Sequence, residues 1–194
     1  MCPNAFPNMI VGLEDGSFTK ETPTTILVAV LMKDGIWIED VKIEEITVDG
    51  LDATQKALQM LKEWKFQAVM LAGISFAGFN LIDPTKIVEE FKKPVIIVTR
   101  SKPNNLAVRR ALMEHFEDWK VRWRIFEKLG PVYQFKPLRN EPPIYTEVLG
   151  AEPEWAEKII KACSFSCRVP EPVRAARIIA RGLTAPWLSR KMKC

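Results

Sequence analysis

Apolar residues fall along this chain in short runs separated by charged turns, and the runs are of two kinds. Residues 9–14, Thr25 to Met32, Gln67 to Ile74 and Pro94 to Thr99 are nearly continuous, rich in Val, Ile and Leu. That is the pattern of strands buried on both faces of a sheet. Lys33-Asp34-Gly35 is a hairpin turn signal. Beyond it the alternation changes phase, from Ile36/Ile38 to Val41/Ile43 to Ile46/Val48, which predicts bulges or a bend near Asp40 and Glu44. Other segments carry the helical period. Asp52 is placed to cap a helix over Ala53–Trp64 with Ala57, Leu58, Leu61 and Trp64 on one stripe. Asp83-Pro84 opens a short helix over 85–92. Asn105 to Leu129 reads as helix broken near Glu117, with Trp119, Trp123 and Phe126 as a core stripe in preference to a base-stacking platform. Residues 130–150 are rich in proline but hold strand-like Val132–Phe135 and Ile144–Val148, and helices follow over Pro153–Ala162 and Pro172–Leu183. Strands alternating with helices predict an α/β fold with parallel pairing.

The length of 194 residues predicts a single domain over 1–183, followed by a basic tail over 184–194. The net charge of +4 is mild, but no acid follows Glu171 while Arg174, Arg177 and Arg181 do. No apolar run approaches the ~18 residues of a membrane span, and the first residues lack a signal-peptide pattern, so a cytoplasmic location with no membrane partner is expected. Four scattered cysteines do not make a disulfide scaffold. Cys163 and Cys167 are one helical turn apart, and free thiols are the expected state, since zinc would need two more soft ligands nearby.

Candidate chemistry gathers where strands end. Glu14 and Asp15 close the first strand, Asp49 and Asp52 flank Gly50, and Asp83 follows a glycine-containing loop. Strand ends on one edge of an α/β sheet are the usual place for ligands. Acids brought together there can hold Mg²⁺ or Mn²⁺ and orient a phosphate, and the same acids also suit caps and turns. In the segment from Ala72 to Asn80, Gly73 and Gly78 permit close backbone approach, while Ser75 and Asn80 offer neutral hydrogen-bonding groups. Arg100 and Lys102 follow a buried strand at the start of a helix, a setting for an anion. Arg174, Arg177 and Arg181 share one face of the last helix and could clamp phosphates.

Several segments together resemble a known family. They are Asp49-Gly50-Leu51-Asp52-Ala53-Thr54, Gly73 to Asn80, Pro94-Val95-Ile96, Ser101-Lys102-Pro103, Ala111-Leu112 with His115-Phe116 and Asp118-Trp119, and Pro170-Glu171-Pro172-Val173-Arg174. The family is an archaeal one of unassigned function, distantly similar to endonuclease V, and the match covers about residues 9 to 183. The resemblance implies a ribonuclease H-like mixed sheet flanked by helices, and nucleic acid or a nucleotide as partner. It implies Glu14, Asp15, Asp49 and Asp52 as catalytic acids, with Glu14, Asp49 and Asp52 as ligands of Mg²⁺ or Mn²⁺. The ligand-binding positions would be Gly73, Ser75, Gly78, Asn80, Arg100, Lys102, Arg174 and Arg177. Two positions depart from endonuclease V: Ala72 stands where that enzyme has a carboxylate, and Arg177 where it has a final His or Asp. The expectation is therefore a cleft for a phosphate-bearing ligand or nucleic acid without an intact endonuclease V metal site. A divergent Mg-dependent endonuclease and a non-catalytic interaction protein are the alternatives.

Overall fold

A computed structural model describes residues 9–19 and 21–191, with side chains to residue 185. The sheet has seven strands in the order β3-β2-β1-β4-β7-β9-β8. They are β1 (Met9–Asp15), β2 (Thr24–Lys33), β3 (Trp37–Thr47), β4 (Ala68–Leu71), β7 (Val95–Thr99), β8 (Tyr133–Phe135) and β9 (Ile144–Leu149). A separate hairpin pairs β5 (Ser75–Phe76) with β6 (Asn80–Leu81). As expected of strands separated by helices, β1, β4 and β7 run parallel. The neighbours in β3-β2-β1 and in β7-β9-β8 pair antiparallel.

Alternate residues of the buried strands feed two cores. Val11, Leu13, Val69, Leu71 and Ile97 pack against α1 (Ala53–Leu61), α2 (Pro84–Phe91), α3 (Asn105–His115) and α4 (Trp119–Glu127). Ile10, Met70 and Ile96 pack instead against α5 (Pro153–Ala162) and α6 (Glu171–Lys191), and α6 also covers Val28 and Val30. Trp119 and Trp123 lean on the first core, which Phe126 joins outright, so the aromatic stripe is a packing stripe.

The local signals resolve in detail. Asp34 (φ 54°) and Gly35 (φ 67°) form the tight hairpin turn, closed by the Ile36 N–H donating to the Lys33 carbonyl at 3.0 Å. One bulge, at Glu39, absorbs the phase change in β3, because Leu31 faces Asp40 and Met32 faces Ile38. No second one occurs at Glu44, which pairs in register with Leu27. The helix expected to reach Trp64 ends at Leu61. The last helix runs on to Lys191 rather than stopping at Leu183. The Thr184 Oγ1 accepts from the Ser17 N–H and donates to the Ala180 carbonyl, both at 2.8 Å, which fastens that extension to the end of β1.

Helix α6 lies directly on β1 at Gly12. A Cβ there would sit 2.1 Å from the Pro172 carbonyl carbon and oxygen and 2.6 Å from the Val173 nitrogen. Neither strand nor helix backbone can yield locally. Gly12→Ala is expected to cost about 3 kcal/mol or more of stability, through forced separation of packed backbones. A urea titration reporting a loss below 1 kcal/mol would show that α6 docks less rigidly than this.

Candidate functional site

The end of β1 brings its two acids together at the edge of the sheet. Gly12 faces α6, so Glu14, two residues on, faces it too and meets the charge of Arg177 and Arg181. Asp15 lies beside it, and its Oδ2 accepts from the Ala77 N–H at 2.6 Å. The two carboxyls are also hydrogen-bonded to each other. Burial, then the neighbouring Asp15 charge and hydrogen bond, push Glu14 up to about 8, against the smaller opposing pull of Arg177 and Arg181. Burial raises Asp15 as well. Two carboxyls so placed hold one proton between them at neutral pH.

The cations form the rim opposite. The Arg177 guanidinium is held below its ordinary value by burial and by repulsion from Arg100 and Arg181, while Glu14 and Asp15 act in the other sense. Arg100 and Arg181 are exposed, as is Lys102 two residues after Arg100. Arg174 is committed elsewhere, donating to the Glu171 carboxylate at 2.6 and 2.7 Å. The acid expected of endonuclease V at the end of β4 is absent. Leu71 pairs with Leu13, so Ala72 stands beside Glu14 with only a methyl group to offer.

The structure does not gather Glu14, Asp49 and Asp52 around one point. Among the described residues no three His, Cys, Asp or Glu side chains are grouped as metal ligands. Asp49, in the left-handed region at φ 57°, accepts from the Phe79 N–H at 2.8 Å, and a Cβ on Gly78 would strike its Oδ1. Asp52 accepts from the Thr47 N–H and Oγ1 and from the Asn80 Nδ2. Its side chain does not cap α1. That part falls to Asn80, whose Oδ1 accepts from the Ala53 N–H at 2.9 Å and whose Nδ2 also donates to the Thr47 carbonyl at 2.8 Å. Asn80 is fully buried, and Gly78 is half-buried against Asp49. Asp83 caps α2 as read from the sequence, and Lys128 and Thr85 hold its carboxyl below the usual range despite burial.

Arg122 and Glu147 have parts that the sequence patterns did not reveal. Arg122, 5% exposed, donates to the carbonyls of Asp49, Gly50 and Phe79. Its place on a buried helix face was the available signal. Glu147, a lone charge in the apolar strand β9, is equally buried. Cys163 and Cys167 are free thiols. No helix among the described residues is long and apolar enough to cross a membrane.

Residues 8–184 match the model of the family described as endonuclease dU. The chain belongs to the endonuclease dU family. Its relatives include archaeal UPF0215 proteins. One from Methanopyrus kandleri is 37% identical over 179 residues, 90% of each chain. One from Methanothermobacter thermautotrophicus is 34% identical over 180 residues, 90% of this chain and 87% of that one. Among solved structures, a protein of unknown function from Archaeoglobus fulgidus matches with TM-score 0.79 and 31% identity over 90% of this chain and 97% of that one. Endonuclease V from Ciona intestinalis, solved as a D234N variant with inosine-containing DNA, matches with TM-score 0.64 and 14% identity over 93% of this chain and 86% of that one. This member of the endonuclease dU family thus has the ribonuclease H-like, endonuclease V-type fold.

The donor set can be tested against a divalent cation on its chemistry. Glu14 and Asp15 are adjacent hard-oxygen donors, and Mg²⁺ is commonly held by one or two carboxylates together with substrate phosphates. The pair fits one such ion. It does not fit two, because Ala72 supplies no bridging carboxylate and Arg177 brings positive charge.

Proposed function

We propose that this protein binds a DNA strand across the Glu14–Asp15 cleft and hydrolyses a phosphodiester beside a deoxyuridine. The observation that carries this reading is the buried acid pair facing the Arg177, Arg181 and Arg100 rim. The family's description supplies the deoxyuridine. Arginines present forked donors that suit a phosphodiester, and their grouping here favours an anion between them. Glu14 and Asp15 would hold a Mg²⁺ or Mn²⁺ ion, which when bound polarises the phosphoryl oxygens.

Hydrolysis adds water across one P–O bond. The water oxygen joins phosphorus, a carboxylate of the pair accepts the water proton, and the leaving oxygen takes up a proton. A carboxyl held near 8 exchanges protons readily around neutral pH. Arg177 is placed to neutralise charge growing on the phosphoryl oxygens.

A nicking assay tests this on end-labelled oligonucleotides with deoxyuridine or thymidine at one position, with Mg²⁺ or Mn²⁺. The wild type is expected to nick the deoxyuridine strand only. Arg177→Ala should weaken strand binding about tenfold, the loss of one charge-assisted contact. A second reading, binding without cleavage, is favoured by the missing acid at Ala72, and tight binding with no nicking would select it. Neither binding nor nicking would exclude both.

A further inference from the structure

On the α1–α4 side of the sheet, behind the Gly73 turn, lies a cavity of about 280 Å³ that the acid cleft does not use. Gly73, Ser75, Ile97, Val108, Phe126 and Glu147 line it. Strand alternation puts Glu147 on the same face as Leu149, opposite Ile97 of β7. The residue is 5% exposed, and among the described residues its carboxyl has no hydrogen-bond or ion-pair partner; burial alone pushes it up from the ordinary carboxyl range. Leaving a buried carboxyl unpaired is costly, and nothing in the packing of β9 requires one. Of the other polar residues at the rim, Ser75 and Asn105 are exposed, whereas Thr99 and Asn104 are already engaged. The Thr99 hydroxyl donates to the carbonyls of Ser101 and Tyr145, and the Asn104 Oδ1 accepts from the Ala107 N–H. The mouth is open at Gly73, where a Cβ would meet nothing within 4 Å.

The cavity and the cleft adjoin. Ala72 donates its N–H to the Leu13 carbonyl at 3.2 Å, one residue before Glu14, while the next residue, Gly73, already borders the cavity. We propose, building on the DNA-binding reading above, that this cavity takes a single nucleobase extruded from the bound strand and that Glu147 reads its N–H edge. The volume lies just under the ~300–1,000 Å³ typical of drug-sized ligands, which suits one small heterocycle. Ile97, Val108 and Phe126 offer apolar surface to the ring faces, and Glu147 is the buried, unpaired group available to the ring edge. Uracil presents an N–H between two carbonyls. A carboxyl accepts from that N–H, and in its neutral form also donates to the adjacent carbonyl. Bases are read in this manner once they leave the stack.

The test uses the full chain in Ca²⁺ and fluorescence anisotropy on single strands carrying one deoxyuridine or one abasic site. The wild type should prefer deoxyuridine by about tenfold or more, the scale of one base held by stacking and an edge contact. Glu147→Leu should bring the ratio to about one without weakening abasic binding. Glu147→Gln, which keeps a donor and an acceptor, should retain most of the preference. A Tm for Glu147→Leu at or above wild type would show that the fold survives losing the unpaired carboxyl. An unchanged ratio in Glu147→Leu overturns the proposal. So does a wild-type ratio of one with binding that still depends on Arg177, which leaves the phosphate reading standing. If the wild type binds no DNA, that reading falls. A titration with free deoxyuridine then decides the cavity alone. Amide shifts at Gly73 and Ser75 that vanish in Glu147→Leu uphold it, and no shifts overturn it.

Discussion

Glu14→Gln is expected to lower strand cleavage by at least about 10²-fold while making the metal-free protein more stable above neutral pH. The two effects have one origin. The glutamate is buried beside another carboxyl, and those two causes lift it from 4.5 to about 8. In the unfolded chain it would lose its proton near 4.5, so between pH 4.5 and 8 the folded state holds a proton that the unfolded state has released. Stability therefore falls as pH rises through that window, by at most about 1.4 kcal/mol per pH unit, and is unaffected by this group below it. Glutamine cannot ionise, so the variant's stability profile should be flatter and its Tm at pH 8 higher than wild type. Cation binding to the pair should displace the shared proton, so added Mg²⁺ should raise the wild-type Tm more at pH 8 than at pH 6. Thermal denaturation at a series of pH values, with EDTA and then with Mg²⁺, reads all of this. A wild-type profile rising from pH 5 to 8 would refute the assignment of the proton to this pair.

Arg122→Met is expected to destabilise the protein by about 3–5 kcal/mol, the cost of breaking a buried ionic network on one side. Its Nη1 donates to the Gly50 and Phe79 carbonyls at 3.0 and 2.7 Å, and its Nη2 to the Asp49 carbonyl at 2.9 Å. Its Nε donates to the Asp118 carboxylate at 2.9 Å, and the guanidinium lies 4.2 Å from the Phe116 ring centre. One side chain thus binds α4 to the loop after β3 and to the β5–β6 hairpin. Methionine fills similar volume but leaves three carbonyls and one carboxylate without that donor. Arg122→Lys should recover less than half the loss, because an ammonium lacks the planar fork that meets several acceptors at once. The change should also reach the cleft. The hairpin loop that Arg122 holds at Phe79 is the one that holds Asp15 through Ala77. Urea unfolding measures the first effect and nicking the second. A loss under 1 kcal/mol would mean that water replaces the guanidinium at no cost, and would remove its assigned part.

Much of this was determined by the sequence alone, wherever the controlling interaction is between near neighbours in the chain. The runs at Thr25 to Met32 and Val95 to Thr99 are buried strands, as their short length and richness in Val, Ile and Thr indicate. Lys33-Asp34-Gly35 signals its turn and Asp83-Pro84 its helix start, because the geometry needed is set within a few residues. The break in the third helical segment falls where it was read, between His115 and Trp119.

The tertiary structure alone decided which acids lie together and which are held by other groups. Asp49, Asp52 and Glu14 look alike in sequence, each a carboxylate near a strand end. Asp52 is occupied by Asn80, 28 residues on, and Asp49 by the Phe79 amide, 30 residues on. Asp15 gives one oxygen to Ala77, 62 residues away, and keeps Glu14 as its neighbour. Whether a carboxylate retains free lone pairs depends on donors that only folding brings near, and local pattern carries no record of them. The same holds for Arg177, which shares its helical spacing with Arg174. Arg174 is spent on Glu171 within its own helix, whereas the close approach of α6 at Gly12 brings Arg177 and Arg181 to Glu14.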